Sequence, residues 1–163
     1  WKHRRQRQMC IRDSYKTTFF EISDLICVSA PVGIFFGRIS NFINGELFGR
    51  PSNFLIGMKF PNADNQYRHP SQLYEAFLEG LLLFIILNFL IFKFKKLKNP
   101  GIISGVFLML YGLFRFTVEF TREPDIQLGF VYHFFTMGMI LSLPMFLAGI
   151  LILVIKSIKN DTR

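Results

Sequence analysis

The sequence predicts an all-α, polytopic helical membrane protein with about four membrane-spanning helices in this chain. Three observations carry that prediction. Of 163 residues, 51% are hydrophobic and 21 are phenylalanine, more apolar surface than a soluble domain of this size has core volume to bury. The apolar residues gather in stretches close to the roughly 20 residues that cross a bilayer core. The Lys and Arg behind the net charge of +8 gather at the ends of those stretches, so the charge reads as membrane topology and not as a nucleic-acid surface.

Residues 1–14, "WKHRRQRQMCIRDS", are strongly basic, poor in aliphatic residues and without the apolar core of a signal peptide. They are expected to be a leader foreign to the rest, with 15–163 the C-terminal part of a single transmembrane domain whose N-terminal portion is missing. The first apolar run is Ile22 to Phe36, short and interrupted by Asp24 and Pro31. It spans if its helix continues through Phe42 with a kink at the proline. The next three are Ala76 to Phe92, Gly101 to Val118 and Val131 to Ile155. The two cysteines, Cys10 and Cys27, have neither metal spacing nor a disulfide framework. Cys27 and His133 read as structural. No zinc pattern, phosphate loop or nucleophile elbow is present, and no metal or cofactor is expected.

The turn "KFKKLKNP" carries Lys93, Lys95, Lys96 and Lys98, and the tail carries Lys156, Lys159 and Arg163. Short Lys-rich connections stay cytoplasmic, and two crossings between turn and tail agree with both lying there. Every polar motif then falls at the outer boundary: "GRISNFINGELFGR" (37–50), "RHPSQLYE" (68–75), "YGLFRFTVEFTREPD" (111–125) and "YHFFTMG" (132–138).

Tyr111, Arg115, Glu119 and Arg122 follow one another at spacings of four, four and three, so one helix face holds them all. An arginine inside a membrane is paired or turned inward. Arg115 and Glu119 therefore form a structural ion pair, or an arginine of the set offers its planar fork to a phosphate. In the first motif Arg38, Asn41 and Gly45 share a face if the helix persists, and Asn41 and Asn44 can donate and accept. That motif is either a helix-to-loop junction or a pocket for an amphiphile, with apolar walls and polar donors. In "RHPSQLYE" Pro70 suits a helix start, and Gln72 lies near the face of Arg68 and Glu75. His69 is either a capping residue or a proton carrier.

Together "GRISNFINGELFGRPS", "RHPSQLYEAFLEG", "YGLFRFTVEFTREPD" and "FTMGMILSLPM" resemble, in order and spacing, the bacterial prolipoprotein diacylglyceryl transferases. The resemblance covers nearly everything from Ile22 onward. It departs at Ser40, where the family more often has glycine, and at Met139, where glutamine is common. It also lacks the family's upstream helices and a His-Gly-Gly segment.

The resemblance implies a seven-helix enzyme of the bacterial inner membrane, its site toward the periplasm. The enzyme moves the diacylglyceryl group of phosphatidylglycerol to the lipobox cysteine thiol of a preprolipoprotein, releasing glycerol phosphate. Its partners are phosphatidylglycerol, the preprolipoprotein signal peptide and membrane lipid. It further implies that Arg38 binds the lipid phosphate with Asn41 and Asn44 in support, and that Glu46 orients Arg38 or Arg50. Arg115, held by Glu119 and sharing a face with Tyr111, is the implied second cation, and His69 the candidate for proton transfer. Two other readings stand beside this one. An inactive fragment would bind phospholipid without transfer. A small transporter or channel subunit would need a polar path through the membrane, for which only Glu79 and Asn88 lie deep in a span outside the motifs.

Overall fold

The computed structural model describes residues 17–53, 55–61, 63–94, 99–123, 130–132 and 135–161. The segment expected to be a leader lies outside them, as do Lys95, Lys96, Lys98, Asp125 and His133. The architecture is all-α, with one small two-stranded hairpin.

Helix α1 is Phe19–Asn44. It starts in a capping box, in which the Thr18 N–H donates to Glu21 at 2.7 Å. It passes through Pro31 without ending and stops at Gly45, in the left-handed region with φ 66°. The helix is therefore longer than the apolar run Ile22 to Phe36, and the first polar motif supplies its last two turns. Asp24, only 1% exposed, accepts from the Gly101 N–H at 2.7 Å, the Ser104 N–H at 2.8 Å and the Ser104 hydroxyl. An acid that looked out of place in a span thus caps the N-terminus of another helix.

Helix α2 is continuous over three pieces: Ser71–Glu75, a π-helical stretch Ala76–Leu82, and Leu83–Phe94. Asn88 donates to the Phe84 carbonyl at 2.8 Å, one turn back, which satisfies it locally. Helix α3 is Ile102–Val118, and helix α4 is Met137–Asp161. The fourth span was expected from Val131. Instead strands β1 (Phe130–Tyr132) and β2 (Phe135–Thr136) pair antiparallel before α4 begins. The aromatic and β-branched residues of that stretch suit a strand better than a first helical turn.

Helices α1, α2 and α4 are long and apolar enough to cross a membrane. The apolar α3 is shorter, 17 residues, or about 26 Å at 1.5 Å per residue. Leu83, Leu87 and Ile103 form the buried centre, with Val28, Leu90 and Phe107 packed on it. Helices α3 and α4 pack most extensively. A Cβ on Gly112 would fall 2.8 Å from the Ser142 carbonyl oxygen, and one on Gly149 would collide with the Met109 nitrogen. Small residues at these positions bring the two backbones together, as in membrane helix pairs. Leu25, Phe36, Phe89, Phe92, Leu147 and Leu151 face outward, exposed, as lipid-facing residues do.

The connection from α1 to α2 folds back over one end of the bundle. The Gly49 N–H donates to the His69 carbonyl and the Arg50 N–H to the Thr121 carbonyl, each at 2.9 Å. Arg68, 8% exposed, pins this cap. It reaches Asp64 at 2.8 Å, Glu123 at 2.5 Å and the Gly49 carbonyl at 3.2 Å, and lies over the Phe48 ring. The Arg68 guanidinium beside Asp64 holds its carboxyl below the usual aspartate value, and the hydrogen bond to Asp64 pushes Arg68 up. At the opposite end Lys156 lies 4.2 Å from the Phe20 ring centroid.

Candidate active site

Three helices bring their polar residues together beneath the cap. Helix α1 supplies Arg38, α2 supplies Gln72, Glu75 and Glu79, and α3 supplies Tyr111 and Arg115, with Glu119 at its C-cap and Arg122 just past it. On α2, residues at i, i+4 and i+8 share a stripe, and Ser71, Glu75 and Glu79 along it are buried. Gly80 opens the approach of α1. A Cβ there would meet the Phe35 Cβ at 2.7 Å, so α1 passes close enough for Arg38, one turn further on, to reach both glutamates.

Glu75 is the hub, at 1% exposure. Its Oε1 accepts from Arg115 Nη1 at 2.7 Å and lies 3.8 Å from Arg122 Nη1. Its Oε2 lies 2.9 Å from Arg38 Nε, an ion pair without hydrogen-bond alignment. Arg115 Nη2 reaches Glu119 Oε2 at 2.9 Å. Glu119 in turn accepts from the Thr136 hydroxyl at 2.9 Å. Gly138 opens α4 against that carboxylate: a Cβ there would lie 2.6 Å from Glu119 Oε2. Glu79 is fully buried, 3.8 Å from both Arg38 Nη2 and Arg115 Nη1. Three guanidinium groups thus face three carboxylates, as charges in an apolar surround require.

The expected pair Arg115–Glu119 is present, and α3 carries Tyr111 one turn before it, stacked on Phe107 at 5.7 Å. Beside Tyr111, Arg115 and Glu119, a cavity of about 320 Å³ opens toward α4, walled by Met137, Leu141 and Met145. It joins a charged rim to an apolar wall, the combination an amphiphile needs. Asn41 and Asn44 occupy the last turn of α1. The Asn41 carbonyl accepts the Glu46 N–H at 3.0 Å, and Asn44 is exposed. Glu46 was expected to orient Arg38 or Arg50. The ion pairs of Arg38 among the described residues run to Glu75 and Glu79, carboxylates already buried on the facing helix. Glu46 is exposed and offers its carbonyl to Gln72 at 2.6 Å, while Arg50 donates to the Arg122 carbonyl at 2.9 Å. His69 belongs to the cap, bound through its backbone to Gly49 and Arg50, with its ring nitrogen 3.4 Å from the Tyr74 hydroxyl.

Glu79 had no assigned partner in the sequence, and Glu75 was only a neighbour of Gln72. The signal that finds them is charge balance: Arg38, Arg115 and Arg122 need three acids, and Glu119 is one. Among the described residues no group of three or more His, Cys, Asp or Glu could hold a metal ion.

A model of the prolipoprotein diacylglyceryl transferase family matches residues 8–155. The chain belongs to that family. Among its relatives are proteins named phosphatidylglycerol–prolipoprotein diacylglyceryl transferase. The chain is 58% identical to that of Rickettsia africae (strain ESF-5) and 56% identical to that of Rickettsia rickettsii (strain Sheila Smith), each over 135 residues covering 83% of this chain and 52% of the relative. It is 50% identical to that of Rickettsia bellii (strain OSU 85-389) over 149 residues, 91% of this chain and 57% of the relative. The chain thus spans about half the length of the curated relatives it matches. Membership in the diacylglyceryl transferase family bears out the resemblance, and with three membrane-capable helices the chain is a membrane protein.

Proposed function

We propose that this chain forms part of a transferase that moves the diacylglyceryl group of phosphatidylglycerol to the lipobox cysteine of a preprolipoprotein. The observation that carries the reading is the convergence of Arg38 and Arg115 on Glu75, at the capped end of an apolar bundle. Two guanidinium groups from different helices suit a phosphodiester, because each offers planar paired donors. The diacyl tails lie along apolar walls open to lipid.

In this reaction a thiolate sulfur attacks the glyceryl carbon bonded to the phosphate oxygen. A C–S bond forms, the C–O bond breaks, and glycerol phosphate leaves with the electron pair. Arg38 and Arg115 stabilise the developing charge on the leaving oxygen, with Asn41 and Asn44 on the head group. Glu119 holds Arg115 in direction, with Tyr111 on the same helix face. A thiol of ordinary pKa near 8.5 must lose its proton to react, and His69 is the candidate to carry it. The lysine-rich end faces the cytoplasm and the site faces the periplasm of the inner membrane, in keeping with the distribution of Lys and Arg.

The test uses the longest reading frame that contains this chain, reconstituted with phosphatidylglycerol and a lipobox peptide. Thioether product should form, and Arg38→Ala should abolish it. Near-normal transfer by Arg38→Ala removes that residue from the mechanism. Phosphatidylglycerol binding without any transfer by the unchanged protein replaces the enzyme reading with that of a lipid-binding protein.

A further inference from the structure

Glu75 and Glu119 sit at 2.7–2.9 Å from guanidinium nitrogens and so occupy the space beside those donors. Glu79 does not. Its two oxygens stand 3.8 Å from Arg38 Nη2 and Arg115 Nη1, beyond hydrogen-bond reach, and neither has a hydrogen-bond partner among the described residues. It is fully buried within the π-helical stretch, a local form frequent at functional sites. As a carboxylate it adds negative charge to the field of both arginines while leaving their donors open, and in a low-dielectric surround that charge is felt strongly.

We propose that Glu79 is a positioning residue that limits how tightly the arginine cluster holds phosphate, so that the phosphate-bearing product can leave. The inference rests on the phosphatidylglycerol reading above and adds the residue that sets product affinity. The substrate is a phosphodiester with one negative charge. The released glycerol phosphate is a monoester, which carries close to two at neutral pH because its second pKa is near 6. Three guanidinium groups opposed by only two carboxylates would hold the product more strongly than the substrate. A third carboxylate that blocks no donor reduces the attraction for both, and for the doubly charged product more.

The experiment measures glycerol phosphate binding by calorimetry, and KM and kcat for transfer, on the longest reading frame containing this chain in phosphatidylcholine nanodiscs. Glu79→Gln removes the charge at constant shape. It should bind glycerol phosphate about tenfold tighter or more, with KM for phosphatidylglycerol and kcat falling together. Glu79→Asp keeps the charge but withdraws it by one methylene, and should bind about threefold tighter. Unchanged or weaker glycerol phosphate binding in both variants overturns the proposal, as does a drop in folded yield and kcat with no change in affinity. If Glu79→Gln does not fold, Glu79→Asp decides alone, tighter binding supporting the proposal and equal or weaker binding overturning it. A protein that binds glycerol phosphate in the expected order but transfers nothing keeps the role of Glu79 and removes the transferase reading.

Discussion

Arg115 donates to Glu75 at 2.7 Å, joining α3 to α2 where the two side chains are only 14% and 1% exposed. The same carboxylate lies 2.9 Å from Arg38 on α1. One residue thereby sets the distance between two cations that come from positions 77 apart in sequence. Removing one partner of a buried pair leaves the other charge uncompensated. Glu75→Ala should therefore lower stability by about 3–5 kcal/mol, read as a large drop in the thermal unfolding midpoint in detergent. Glu75→Gln keeps the volume and should fold better while transferring little. A Glu75→Ala protein with an unchanged midpoint would mean that the cluster does not hold the helices together.

Arg115 uses two different nitrogens, Nη1 toward Glu75 and Nη2 toward Glu119. A lysine ammonium is a single point of charge and cannot span both carboxylates. Arg115→Lys should keep the charge but lose about 100-fold in kcat, measured with a lipobox peptide and phosphatidylglycerol. Full activity would show that charge alone suffices there.

Gly138 is close to Glu119 for a spatial reason: an added Cβ would lie 2.6 Å from its carboxylate. Gly138→Ala should push Glu119 away from Arg115 and lower transfer at least tenfold, since a misplacement of about 1 Å can cost 100-fold even when the mutation is far from the reacting atoms. The helix itself should tolerate alanine. The discriminating measurement is therefore kcat alongside helical content, with kcat falling and content constant.

Asp64 is held below its ordinary value of 3.8 by the Arg68 hydrogen bond. A depressed carboxyl contributes stability that is fully present above the unfolded value and lost as pH falls through the folded one. Wild type should thus exceed Asp64→Asn in stability above about pH 4, and the two should converge as the pH falls below it. Hydrogen exchange at the Gly49 and Met58 amides, which bond to His69 and Arg68, reports the difference. Equal exchange in both proteins at pH 6 would contradict the role of the pair.

By itself the sequence determined that this is a helical membrane protein, because the length and apolarity of a span are local properties. It also placed Tyr111, Arg115 and Glu119 on one face, because helical spacing is local. Family membership was legible too, in four motifs kept in order. Tertiary structure alone decided where the first helix ended, since its last turns are polar and become helical while Arg38 pairs with an acid on another helix. It decided that Val131 belongs to a strand. It explained Asp24, whose partners lie 77 and 80 residues away. Above all, it decided that Glu75 and Glu79 stand between the arginines. Nothing in their neighbourhood in the chain points to those partners, because a buried charge is balanced by whatever the fold brings beside it.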